Sequence, residues 1–99
     1  MIAKLYDEEK EKLLAACDEN LLGKTLHENN IYIEISEEFY GDQAVTRKEL
    51  EQLMDSCTIA NLVGENVINI ALAKKLVKKE NILEIQGTPH AQFARMLKK

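Results

Sequence analysis

Histidines, cysteines and basic residues carry most of the reactive or binding chemistry in this sequence, and their spacing limits what they can do. The stretch GTPHAQFARM at 87–96 holds the only proline, one of two histidines and an arginine five residues beyond that histidine. On a strand, where side chains alternate, an odd separation sends His90 and Arg95 to opposite faces, and His90, Gln92 and Ala94 share one face. On a helix the two would lie closer together. A His–Arg site therefore depends on secondary structure. The GTP at 87–89 favours a turn followed by a returning strand at 90–97, because proline fixes φ and has no N–H to give a ladder.

Cys17, His27, Cys57 and His90 are the only soft or borderline metal ligands. No CxxC or HxxxH pair brings two of them together, so neither a metal nor a cofactor is expected. Both cysteines sit in apolar surroundings, one after LLAA and the other before TIANLV, and read as small core residues. A cysteine with His90 as its base would need an activating environment, and no strained nucleophile elbow surrounds either thiol. No catalytic residue is assigned. GENVINIA at 64–71 sets a glycine ahead of a helix, where free N–H groups can hold an anion, but Glu65 at that position opposes one.

The lysines are more informative. The chain has a net charge of −4, unevenly spread: residues 1–70 carry −9 and residues 71–99 carry +5. Lys74, Lys75, Lys78 and Lys79, taken as helical, fall within an arc of about 140°. With Arg95, Lys98 and Lys99 they form the candidate RNA-binding set, a face able to contact successive phosphates. The bland alternative is a solvated helix end whose lysines favour the macrodipole.

These residues need a scaffold, and 99 residues with 45% apolar content suffice for a single domain, 1–99, with its own core. Five aromatic residues are too few for a multi-base stacking platform. The N-terminus has no signal-peptide pattern and no apolar run is long enough to span a membrane, so a reducing cytoplasm is the expected location.

The pattern predicts a strand at 2–6, a charged turn at 7–12, a strand at 13–18 whose Ala and Leu would equally suit a helix, and a loop or short turn of helix at 19–30. Ile31, Ile33 and Ile35 alternate with polar neighbours, which predicts a strand at 31–36, paired antiparallel with 13–18. A loop follows at 37–45. TRKE at 46–49 is a capping box that opens an amphipathic helix through Leu50, Leu53, Met54 and Cys57. The stretch 57–63 suits either more helix or an extended run. A second helix is predicted at about 65–79, then a strand at 81–86. The whole reads as α+β: a mostly antiparallel sheet of about five strands with two main helices.

AACDENLLGKT at 15–25, EEFYGD at 37–42, TIANLVGENVINIA at 58–71 and GTPHAQFARM together resemble, in order and spacing, a small archaeal family known as domain of unknown function 424. The resemblance implies an archaeal cytoplasmic protein with a compact α+β fold, and no established activity. It marks Asp18, Lys24, Tyr40, Gly41, Asn61, Gly64, Pro89, His90 and Gln92 as distinctive positions. Glycines and Pro89 serve backbone geometry and Asn61 suits bonding of buried backbone, whereas Asp18, Tyr40, His90 and Gln92 are harder to explain as packing; with Asn61 they form a candidate cleft. The sequence points first to a non-enzymatic module for RNA or a ribonucleoprotein of translation. The alternatives are a small-molecule binder or enzyme centred on His90, and a protein-interaction or homodimer module.

Overall fold

A computed structural model describes residues 1–96. Its main sheet has five strands in the order β1-β2-β5-β7-β6, formed by β1 (Ile2–Asp7), β2 (Lys12–Cys17), β5 (Ile59–Val63), β7 (Thr88–Ala94) and β6 (Leu83–Ile85). Every pairing is antiparallel except β2 with β5. The remaining strands, β3 (Thr25–Glu28) and β4 (Ile31–Glu34), form a separate two-stranded hairpin. Among the described residues there are three α-helices, α1 (Glu37–Tyr40), α2 (Arg47–Ser56) and α3 (Glu65–Ala73), and a turn of 3-10 helix at Glu19–Leu21.

Strand alternation divides the core into two layers. Ala3, Leu14, Ala16, Ala60, Leu62 and Ala91 point to one face and meet α2 and α3 through Leu50, Met54, Val67, Ile70 and Ala71. Small alanines on the sheet let the helices approach closely. Ile2, Ala15, Cys17, Val63 and Ile85 point to the other face and lie under Leu21, Leu26, Ile35 and Tyr40. That second cover is partial. Ile59, 36% exposed, together with Gln92 and Ala94, leaves one end of this face open.

The capping box forms as predicted: Thr46 accepts from the Glu49 N–H, and the Glu49 side chain accepts from the Thr46 N–H. The ambiguous 57–63 contains β5, which lies at the centre of the sheet between β2 and β7. Ala60, Leu62 and Val63 are buried on its two faces, so period gave no clue to their state.

The strand at 31–36 is present, but its partner is 25–28 and not 13–18. Asn29 and Asn30 both take positive φ, the backbone a two-residue hairpin turn requires and asparagine tolerates. This tight turn joins β4 to a strand that the loop assignment at 19–30 concealed. The loop at 37–45 begins with a helical turn capped by Ser36, whose Oγ accepts from the Phe39 N–H.

The helix expected to reach residue 79 ends at Ala73. Lys75 turns left-handed at φ 61°, its N–H donates to the Leu72 carbonyl and the Leu76 N–H donates to the Ala71 carbonyl. This is a Schellman stop with lysine in the usual glycine position. It lets Val77 fold back into the helical layer, burial that a continued helix would place elsewhere. The four lysines consequently do not share a helix face. Lys78 is extended, and Lys79 begins a single turn of 3-10 helix ending at Asn81.

The turn after β6 comes one residue earlier than expected, at Gln86 and Gly87, both with positive φ. Pro89 then lies inside β7. Its ring nitrogen faces past the end of β5, where no ladder partner is needed, while its carbonyl accepts from the Gly64 N–H at 2.9 Å.

Candidate functional site

Pairing of β5 with β7 places Asn61 opposite Gln92 and Val63 opposite His90. All four therefore lie on the incompletely covered face. The α1 helix, held by its Ser36 cap, lowers Tyr40 onto the same face. Three polar side chains converge as a result. His90 Nε2 lies 3.0 Å from Asn61 Oδ1, and the Tyr40 hydroxyl donates to that same oxygen at 3.4 Å.

An amide oxygen only accepts, so it selects the His90 tautomer that carries its proton on Nε2. No side-chain polar atom among the described residues is buried without a partner, and Nδ1 makes no hydrogen bond among them. Nδ1 thus presents its lone pair to solvent. Burial lowers the His90 pKa from its ordinary value, which keeps the ring neutral at physiological pH. Tyr40, 2% exposed, is pushed up to about 12 by burial and by the Cys17 thiol nearby. The exposed Gln92 amide stands beside this network.

Tyr40, Asn61 and His90 are thus brought together, with Gln92 at the rim. Asp18 is not part of that group. It is 6% exposed and accepts from the Asn66 and Val67 N–H groups at the start of α3, at 3.0 Å each. Its carboxylate occupies the anion position that the glycine before this helix suggested. The signal for this role was the spacing of an acidic residue at the end of β2 and a glycine at the end of the parallel β5, legible only once those strands are known to pair.

The basic set disperses. Lys74 pairs with Asp55 at 2.8 Å. Arg95 lies on the helical side, opposite His90 as alternation requires. Its Nε donates to the Cys57 carbonyl at 3.2 Å, a terminal nitrogen donates to the Met54 carbonyl, and the guanidinium lies over the Phe93 ring. It closes the C-terminal end of α2. Lys75, Lys78 and Lys79 remain exposed, and Lys98 and Lys99 lie outside the described residues.

Both cysteines are fully buried and free, one in each core layer. Burial pushes Cys17 up to about 11, with Asp18 adding to the shift, and raises Cys57 as well. Neither thiol is a ready nucleophile. No cluster of three or more potential metal ligands occurs among the described residues, and no helix among them is long and apolar enough to cross a membrane.

Comparison with known proteins gives a consistent but narrow picture. The sequence model of a family described as "Protein of unknown function (DUF424)" matches residues 6–96. The fold is similar to the crystal structure of an uncharacterized conserved protein from Methanopyrus kandleri. The two superpose with a TM-score of 0.80 over 99% of this chain and 93% of that one, at 23% identity, a likeness that shows the fold alone. A search of the curated proteins finds no match.

Proposed function

The chain belongs to the DUF424 family, and we propose that this member is a non-enzymatic binding module whose site is the Tyr40–Asn61–His90 network with Gln92 beside it. One observation carries the reading: Asn61 Oδ1 accepts from both Tyr40 and His90. That oxygen turns the Nε2 proton inward and leaves Nδ1 as a neutral acceptor at the surface. A glutamine amide beside it can donate and accept together. The pair suits an uncharged planar ligand with a donor next to an acceptor on one edge, the pattern nucleobases present. Ile59 and Ala94 at the open end of the face offer an apolar surface for such a body. Nucleophilic catalysis by Cys17 is disfavoured because burial raises the pKa of its thiol. Free thiols support a reducing cytoplasm, and the fold's likeness to a Methanopyrus protein fits an archaeal source.

The test is titration of the isotopically labelled protein with adenosine, guanosine, cytidine and uridine. Saturable shifts at the Asn61 and Gln92 amides, lost in His90→Phe, support the site. If all four nucleosides leave those amides unmoved, the reading is wrong.

RNA or a ribonucleoprotein as partner is a second reading. It is supported by Lys75, Lys78 and Lys79, which are exposed and make no ion pair among the described residues. Phosphate contacts of this kind weaken steeply with salt. Binding to single-stranded RNA that survives reversal of all three lysines to glutamate would remove this surface from consideration.

A further inference from the structure

The face of β7 turned away from His90 carries a separate concavity. A groove of about 620 Å³ runs between α3 and the β6–β7 hairpin. Leu72, Ile82 and Pro89 contribute apolar lining, and Glu65, Glu84 and Lys79 stand in the same lining. The ion pairs among the described residues are Arg47–Glu51 and Lys74–Asp55, so these three charges are not spent on each other. Two carboxylates against one ammonium leave the concavity net negative. Glu65 and Glu84 are both exposed, and the field of their combined charge attracts a cation to the groove. The volume falls in the range of small-ligand clefts.

We propose that this groove binds a small organic ammonium ion carrying an apolar body. The body lies on Leu72, Ile82 and Pro89, and the ammonium group faces Glu65 and Glu84. Lys79 sets the charge of the ligand at one, because a second ammonium group would meet it at the rim. This site is independent of the His90 reading, since Pro89 and His90 are neighbours on opposite faces of one strand.

The experiment follows backbone amide shifts of the full chain on addition of cyclohexylmethylammonium, its neutral analogue cyclohexylmethanol, or ammonium ion alone. The expected result is saturable movement of the Glu65, Glu84 and Gly87 amides with the amine. Loss of a charged hydrogen bond makes the alcohol bind at least about tenfold more weakly. Glu65→Gln and Glu84→Gln each weaken the amine, and Lys79→Gln tightens it, in variants whose remaining spectra are unchanged. Equal affinity for amine and alcohol overturns the proposal. So does an absence of saturation, or shifts that spread over other acidic surfaces such as Glu8, Glu9 and Glu11.

Discussion

Asp18 caps a helix that begins 47 residues later in the chain, at Glu65, and Gly64 is the residue that lets it do so. The carboxylate reaches the free N–H groups of Asn66 and Val67 across the backbone of residue 64. A Cβ at that position would overlap the Asp18 side chain, and φ is +111° there. Gly64→Ala therefore combines steric overlap with backbone strain and is expected to cost about 2–4 kcal/mol. Asp18→Ala, which leaves two helix N–H groups without an acceptor, should cost about 1–2 kcal/mol. Urea unfolding of both variants measures these losses. Wild-type stability in Gly64→Ala would contradict the interlock.

Removing the shared acceptor should be felt by both of its donors. Asn61→Leu keeps the branching of the side chain but leaves the Tyr40 hydroxyl and His90 Nε2–H unpaired, at a cost of about 1–3 kcal/mol in unfolding free energy. Asn61→Asp retains an acceptor and adds a charge, so the His90 pKa should rise relative to wild type. Imidazole proton shifts followed through a pH titration report that change directly.

The lowered pKa of His90 gives stability a specific dependence on pH. The folded state holds the ring neutral below its ordinary value of 6.5, so it binds fewer protons than the unfolded chain there. Its contribution is complete above the unfolded value and declines as pH falls from that point through the folded value. Between about pH 7 and pH 5, wild type should lose more stability than His90→Gln, which has no proton to take up. Parallel melting curves for the two proteins across this interval would refute the assignment.

Arg95 is expected to matter for stability through α2. Arg95→Ala exposes the Met54 and Cys57 carbonyls to loss of their charged donor, a change of about 1–3 kcal/mol. Lysine, with a point charge in place of a planar fork, should restore only part of it. Hydrogen exchange offers the more local readout: amides in the last turn of α2 should exchange faster in Arg95→Ala, while those of β1 keep wild-type rates.

Local chemistry was legible where one segment contains its own reason. The Thr46–Glu49 capping box is such a case, as is the alternation that separates His90 from Arg95. The strand at 31–36 was visible, but its partner was not, because Asn29–Asn30 permits a tight turn without demanding one. The lysine face failed for a related reason. Helical period continues through residue 79, whereas the left-handed Lys75 ends the helix and Val77 is buried beyond that turn.

The sequence by itself determined an α+β chain with its apolar residues set for a sheet, a correctly capped α2, and both cysteines as core. Only the tertiary structure decided that Asn61 would lie between Tyr40 and His90, that Asp18 would serve α3, and that Arg95 would close α2. Each of those contacts joins residues at least 21 positions apart. They exist because β5 inserts between β2 and β7, and strand order is set by burial of two faces at once, which periodicity along a single segment does not encode.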